Sequence, residues 1–298
     1  MTGRRRVLMS SLAAAAVLAV ATAVLAGMTP FGRDDTTFGV VVVNRETGET
    51  EAEENEHDQF RSASLVKLLI ALDYFHQRGP AAEIPEEDRE LLGSMLRVSD
   101  DEAASVLWVQ KGQETIVERM VGLLGLEDTE PPADRRIWGY TATSAADVAR
   151  TYEYVLDEAS PDTRWFILGH LQEVTRCAVD GRNQYFGIPW VAPEPWAVKQ
   201  GWSGFGEVPP GEQCTPTPAS VVEPTDDDQS SEDSSRSPSD TGSEPDIDLD
   251  REAMHTTGTI GDRDETIVVV LSLHPDGTSY DEAVRRVTVT IRALYPAN

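Results

Sequence analysis

Ser64 and Lys67 are the residues of this sequence best suited to chemistry, and they stand three positions apart at the start of an apolar run. Residues at i and i+3 share one helix face, so the hydroxyl and the amine could meet. A serine hydroxyl is a poor nucleophile until a base removes its proton. A lysine can be that base only if its pKa is lowered, and the apolar residues recurring from Leu65 to Phe75 would desolvate it. A Ser-x-x-Lys pair alone is weak evidence, because most such pairs lie on a solvated helix face.

Two further polar elements follow along the chain. Ser99-Asp100-Asp101 stands at an expected helix start, where Ser99 or Asp100 could serve as the N-cap. Capping alone would account for Ser99. Lys199-Gln200-Gly201 lies on a short expected strand over 196–202.

The periodicity of the chain predicts strands near both ends and helices between them. Strands are expected over 38–43, 58–61, 254–261 and 266–273, and helices over 64–75, 85–97, 101–108, 113–125, 144–159, 162–178 and 280–294. This order predicts an α+β fold, an α/β sandwich in which one antiparallel sheet is built from both chain ends around a central helical cluster. The last two strands should form a hairpin.

The composition excludes some partners. The 298 residues carry a net charge of −27, which argues against binding to nucleic acid or to anionic membrane surfaces. The segment 207–250 is rich in Pro, Ser, Asp and Glu and is expected to be a disordered acidic insertion. Residues 207–252 hold 14 acidic and 2 basic residues, so they contribute 12 of the 27 excess negative charges.

The sequence pattern of the N-terminal residues predicts that the protein is exported. Residues 1–30 have a basic start, Arg4–Arg6, and an apolar run over 7–26, which fits a signal peptide or a membrane anchor. No cysteine follows that run, so a lipid anchor is not supported. Cys177 and Cys214 could form a disulfide outside the cytoplasm or remain free thiols. No metal site and no cofactor is expected from these cysteines or the scattered histidines.

The three elements in this order resemble those of the serine β-lactamase and penicillin-binding superfamily, and class A β-lactamases look closest. The resemblance implies a domain over 37–298, interrupted by the insertion. It implies that Ser64 is acylated, that Lys67 accepts its proton, and that Ser99 passes a proton toward the leaving nitrogen. Lys199 would attract a substrate carboxylate, and the backbone N–H groups of Ser64 and Trp202 would form the oxyanion hole. The implied substrate-binding residues are Asp101, Lys199, Gln200, Gly201 and Trp202.

Three departures from the family pattern affect this expectation. Asp101 replaces an asparagine, and an ionised aspartate only accepts hydrogen bonds. Gln200 replaces a hydroxyl residue beside the expected carboxylate. The Glu-x-x-Leu-Asn loop, whose glutamate activates the deacylating water, is represented only by Glu130-Pro131-Pro132-Ala133-Asp134. We therefore expect Glu130 not to serve as a deacylation base.

The leading hypothesis is an exported serine hydrolase, a monomer that contacts membrane only through its N-terminal segment. Its substrate would be a β-lactam, a peptidoglycan stem peptide ending in D-Ala, or another small amide or ester, and release would be slow. The alternative is a pseudoenzyme that binds a cell-wall fragment or a partner. A third hypothesis is an anchored envelope protein whose acidic segment is the functional part. His255 and His274 are given no role, and Trp138, Trp196 and Trp202 are expected to pack at a core or rim.

Overall fold

The structure is a computed structural model that describes residues 35–79, 83–215 and 247–295. The expected signal or anchor at 1–30 and most of the acidic insertion lie outside the described residues. The described flanks of the insertion, 207–215 and 247–250, contain neither helix nor strand. Within the described ranges, no helix combines the length and the apolar character that crossing a bilayer requires.

The main sheet has five antiparallel strands in the order β2-β1-β7-β6-β5. Their bounds are Thr37–Asn44 (β1), Glu49–Glu54 (β2), Trp196–Ser203 (β5), Ala253–Ile260 (β6) and Thr266–Leu273 (β7). A second, two-stranded sheet joins β3, Phe60–Arg61, to β4, Ala142–Thr143. Both chain ends therefore meet in one antiparallel sheet, which confirms the predicted fold class.

Helices fill the sequence between the two groups of strands. Their bounds are Val66–Arg78 (α1), Glu86–Arg97 (α2), Asp101–Lys111 (α3), Glu114–Leu124 (α4), Ala145–Glu153 (α5), Pro161–Gln172 (α6), Ile188–Val191 (α7) and Tyr280–Leu294 (α8). Ser144, Ser160 and Ser279 cap α5, α6 and α8, each accepting a hydrogen bond from the backbone N–H three residues on.

Both faces of the sheet are covered. Val41, Val269 and Leu271 pack into the helical cluster, whereas Val40 and Val268 pack on the opposite side with Ile291 of α8. Because side chains alternate along a strand, a strand buried on both faces is apolar at every position. This explains the uninterrupted valine run of β1.

The structure differs from the sequence-based boundaries in several places. Strand β2 was not predicted, because its exposed and mostly acidic residues show no apolar alternation. The strand expected over 58–61 is only the two residues of β3. The helix expected over 162–178 ends at Gln172, after which Cys177 pairs with Asn183 in an isolated bridge.

Candidate active site

Ser64 lies on a tight turn that leads directly into the helix carrying Lys67. Residues Ala63–Leu65 form one turn of 3-10 helix, and α1 begins at Val66. Ala63 has φ of 46°, a left-handed conformation that a residue with a Cβ adopts only at a cost. Ser64 is 8% exposed, whereas Lys67 is completely buried. The turn thus places Ser64 one helical turn before the completely buried Lys67.

Lys67 is held by three oxygen atoms at the start of α3. Its Nζ donates to the Ser99 carbonyl at 2.6 Å, approaches Ser99 Oγ at 3.3 Å and pairs with Asp101 Oδ1 at 2.5 Å. The Trp138 ring covers the same nitrogen, with its centroid 5.0 Å from Nζ.

Ser99 joins the two lysines. Lys199 Nζ donates to Ser99 Oγ at 2.8 Å and to the Gln200 carbonyl at 3.2 Å. Ser99 has φ of 57°, so it is strained like Ala63. Asp100 rather than Ser99 caps α3, since its carboxylate accepts from the Ala103 N–H. The serine hydroxyl is therefore left to contact the two lysines.

The electrostatics of the two amines differ. Burial lowers the pKa of Lys67, and the Asp101 carboxylate opposes that shift. Burial also takes the pKa of Lys199 well below its ordinary value, and the neighbouring charge of Lys67 lowers it further. Asp101 touches Lys67, so its negative charge favours the proton on that amine more than on Lys199.

Gly201 allows strand β5 to lie against the nucleophile turn. A Cβ at this position would stand 3.3 Å from the Ser62 carbonyl oxygen and 3.4 Å from Leu65 Cγ, both tight contacts. Strand β5 is also the outermost strand of the sheet. Its outer edge therefore carries backbone groups that β6 does not use, next to Ser64.

Gln200 and Trp202 project to the other face of β5 from Lys199. The Gln200 amide donates to the carbonyls of Gln184 and Phe186 at 3.1 and 2.8 Å, and the Trp202 ring packs edge-on against Phe186. Strand alternation accounts for the separation. Of the predicted site residues, the structure thus brings Lys67, Ser99, Asp101 and Lys199 together beside Ser64 and Gly201. It places the side chains of Gln200 and Trp202 elsewhere.

Solved structures with this architecture include β-lactamases and PBP-A. The chain is similar to a β-lactamase from Chitinophaga pinensis (TM-score 0.58, 15% identity, 94% of this chain and 96% of that one). It is also similar to the class A β-lactamase from Mycobacterium abscessus (0.58, 15%, 93% and 98%). PBP-A matches over 99% of this chain and 98% of its own, with a TM-score of 0.58 at 13% identity. The fold is that of the class A β-lactamases and of PBP-A.

Sequence comparison finds relatives of another description. No protein-family model matches the chain. Proteins named "Putative lipoprotein LppW" from Mycobacterium bovis and Mycobacterium tuberculosis are 37% identical over 171 residues, which are 56% of this chain and 54% of theirs. The chain therefore spans about half the length of the curated relatives it matches.

Within this β-lactamase-like fold, Glu130 lies away from the lysines. Its carboxylate accepts from the Gln59 amide at 3.0 Å at an exposed position, and its backbone pairs with Ala142. The side chain that covers Lys67 from this loop is instead the indole of Trp138, whose Nε1 donates to Ser105 Oγ at 3.1 Å. The sequence had identified Trp138 only as a packing residue, since an aromatic side chain in an irregular segment has no periodic signal.

Asp180 is an acidic residue that the sequence did not single out and that lies beside the Trp202 indole. Its Oδ2 accepts from the Trp202 indole at 2.8 Å, and its charge favours the protonated form of both lysines. The loop that carries it is tied to the start of the insertion by a Cys177–Cys214 disulfide, with a Cα–Cα distance of 5.5 Å. The disulfide was one of the two states that the sequence left open.

The histidines contribute to packing and to backbone contacts. His255 is fully buried between the Arg61 carbonyl, at 2.9 Å from Nε2, and the Ser272 N–H, and burial lowers its pKa to about 4. His274 Nε2 contacts Ser272 Oγ at 2.9 Å. Within residues 35–79, 83–215 and 247–295, the His, Cys, Asp and Glu side chains form no group able to hold a metal ion.

Proposed function

We propose that this protein is an exported serine hydrolase that forms an acyl-enzyme on Ser64 and releases it slowly. The observation that carries the proposal is the continuous polar chain from Lys67 Nζ through Ser99 Oγ to Lys199 Nζ, at 3.3 and 2.8 Å, directly behind the serine turn. Burying two amines and a hydroxyl is costly, because each amine loses hydration. Such a chain can move a proton from a nucleophile to a leaving group.

The reaction would proceed by acyl transfer. Ser64 Oγ forms a bond to the substrate carbonyl carbon while its proton passes to Lys67. The C–N bond of the lactam or amide then breaks, and Ser99 supplies a proton to the leaving nitrogen and recovers one from the lysines. Water hydrolyses the ester in a second step. Substrates consistent with this chemistry are a β-lactam, a peptide ending in D-Ala or another small amide or ester.

The oxyanion hole would be formed by the backbone N–H groups of Ser64 and Trp202. The close approach of β5 at Gly201 supports this arrangement, because it sets the outer edge of the strand beside the serine turn. A donor of this kind is worth about 3 kcal/mol of transition-state stabilisation. The backbone of Trp202 can supply it although the indole points to the other face.

Slow release follows from the loop that precedes β4. Trp138 covers Lys67, and an indole cannot remove a proton from water. Glu130 is exposed and bonded to Gln59. A water attacking the acyl-enzyme would therefore depend on the Lys67–Ser99 relay for its activation.

A cell-envelope location is proposed from the N-terminal signal pattern, from the disulfide and from the relatives named as lipoproteins. The second candidate function is a pseudoenzyme that binds a wall fragment or a partner. The Lys67–Asp101 pair at 2.5 Å favours it, because the carboxylate stabilises the charged amine that cannot act as a base.

The test is intact mass spectrometry after exposure to a fluorescent penicillin, with Ser64→Ala and Ser62→Ala compared. Ser62 is the adjacent serine, and its hydroxyl takes no part in the lysine chain. We expect a long-lived adduct in the wild type and in Ser62→Ala that is absent in Ser64→Ala. Rapid turnover without an adduct would refute slow release, and neither adduct nor turnover would favour the pseudoenzyme.

A further inference from the structure

The exposed charge beside the nucleophile is negative. Lys67 and Lys199 are both completely buried, so neither ammonium reaches solvent. Asp101 is 70% exposed on the α3 side, and Asp180 is 43% exposed beyond the Trp202 indole on the β5 side. A substrate entering beside Ser64 therefore meets carboxylates before it meets the lysines.

Asp101 contacts the lysine that lies one helical turn after Ser64. Its Oδ1 lies 2.5 Å from Lys67 Nζ, the group proposed to take the proton of Ser64. The second oxygen of a carboxylate whose side chain is 70% exposed can still accept from a ligand. Lys67 stands one helical turn after Ser64, so a side chain that extends several bonds from the reacting carbonyl could reach this oxygen.

The groups expected to attract a substrate carboxylate are occupied. Lys199 donates to Ser99 and to the Gln200 carbonyl. Burial lowers its pKa well below the ordinary range, which disfavours the charged form of the amine. The Gln200 amide serves two backbone carbonyls on the opposite face. Arg182, the cation next to Asp180, is 8% exposed and donates to the carbonyls of Phe205 and Gly206.

We infer that Asp101 is a specificity-determining residue, and that it selects acyl donors with an ammonium group on the acylamino side chain beside the reacting carbonyl. A donor with a carboxylate at that position is repelled by the same residue. The inference rests on the proposed acylation of Ser64 and adds the substrate class to it. Asp101 also belongs to the first turn of α3, but Asp100 already caps that helix, so capping does not require a carboxylate at 101.

Three penicillins test the inference without changing the reacting ring. Ampicillin, benzylpenicillin and carbenicillin share the penam nucleus and a phenylacetyl-type side chain, and they carry an ammonium, a hydrogen and a carboxylate on the carbon next to the amide. The second-order rate of Ser64 acylation would be measured by intact mass spectrometry at about pH 6.5, where an α-amino group is largely protonated. We expect ampicillin to react fastest and carbenicillin slowest, with a ratio of about tenfold or more between them, equivalent to about 1.4 kcal/mol.

Two variants test whether Asp101 causes the preference for ampicillin over carbenicillin. Asp101→Asn keeps the size of the side chain and removes the charge, and we expect it to reduce the ampicillin-to-carbenicillin ratio to within about threefold of unity, near the limit for exposed charges. Glu102→Gln removes one exposed charge from the same helix turn and should preserve the ratio. The effect of Asp101 on Lys67 in the free enzyme is common to the three penicillins and cancels in the ratio.

The outcomes separate the inference from the proposed function. Equal rates, or faster reaction with carbenicillin, would overturn the inference and leave acylation of Ser64 standing. Loss of the ratio in Glu102→Gln as well as in Asp101→Asn would show a general charge effect and overturn the assignment to Asp101. No adduct with any of the three would overturn both. If Asp101→Asn fails to fold, Asp101→Ala, which also removes the charge, takes its place with the same expected ratio.

Discussion

Replacing Ser99 by alanine and, separately, by glycine tests whether its hydroxyl is the relay or only a structural contact. Both substitutions delete the oxygen that lies 2.8 Å from Lys199 Nζ and 3.3 Å from Lys67 Nζ. They differ in the backbone, because residue 99 has φ of 57° and only glycine adopts this conformation without strain. The two variants therefore have the same chemistry and different stability.

The magnitudes follow from the contacts. The buried amine of Lys199 loses its shorter hydrogen bond, and an unsatisfied buried polar group costs about 1–3 kcal/mol, so alanine should lower the free energy of unfolding by that amount. The left-handed conformation costs a residue with a Cβ about 1–2 kcal/mol. Glycine avoids this cost but loses about 0.5–1 kcal/mol to chain entropy, so it should be more stable than alanine by about 0.5–1 kcal/mol. Loss of a proton relay should slow acylation about 10²–10⁴-fold in both variants.

Urea denaturation would give the two free energies of unfolding, and penicillin adduct formation would give the two acylation rates. We expect the rates of Ser99→Ala and Ser99→Gly to agree within a few-fold although their stabilities differ. If glycine instead recovers most of the wild-type rate, acylation depends on backbone order at residue 99 and not on the hydroxyl. The relay would then be wrong.

Three more variants test other contacts. Arg119→Leu should lower the free energy of unfolding in urea by about 3 kcal/mol, because Asp73 is fully buried and would lose both bonds to the guanidinium, at 2.6 and 2.8 Å. Asp101→Asn should move the rising limb of the acylation pH profile to lower pH. The carboxylate raises the pKa of Lys67 against burial, and acylation needs the uncharged amine. Gly201→Val should slow acylation about tenfold or more, since its side chain would press on the turn that carries the nucleophile, and the adduct rate would measure this.

Each of these expectations has a result that contradicts it. Unchanged stability in Arg119→Leu would mean that Gln77, which also donates to Asp73, satisfies that carboxylate alone. A rising limb that stays in place, or moves to higher pH, in Asp101→Asn would show that Lys67 is not the titrating base. Wild-type adduct rates in Gly201→Val would show that β5 does not set the geometry of the nucleophile. Gly122→Val is the matched control, because Gly122 lies at an exposed position of α4 with open space around it.

The fold class could be predicted from the sequence because its signals are local and repeated. The valine run of β1 and the β-branched run of β7 are strand signals, and their positions at opposite chain ends fixed the topology once they were paired. Strand β2 gave no such signal. Its order comes from backbone pairing with β1, while its charged side chains remain in solvent and protect the sheet edge.

The sequence predicted only those contacts of the candidate site that follow from the spacing of residues along one helix or one strand. Ser64 and Lys67 are neighbours on one helix turn, so their proximity follows from the sequence. The motif Lys199-Gln200-Gly201 suggested that all three residues line one pocket. Strand alternation, which the sequence already implied, instead places the side chains of Lys199 and Gln200 on opposite faces of β5. Trp138 belongs to an irregular segment, and its distance from Lys67 in the sequence gives no indication of contact. Only the packing of the 3-10 turn at Trp138–Tyr140 brings its ring over Lys67.

The position of the proton in the free enzyme, on Lys67 or on Lys199, affects both the acylation rate and the substrate preference. Two amines share one hydroxyl in a buried space, and each disfavours a charge on the other. Asp101 contacts Lys67 and not Lys199, so a single proton is best placed on Lys67, leaving Lys199 neutral. Acylation then requires that proton to move through Ser99 to Lys199 before Lys67 can act as a base. A ligand ammonium near Asp101 competes with Lys67 for the carboxylate and assists this transfer, whereas a ligand carboxylate holds the proton on Lys67. The same aspartate thus slows the reaction in the absence of substrate and favours cationic acyl donors when they bind.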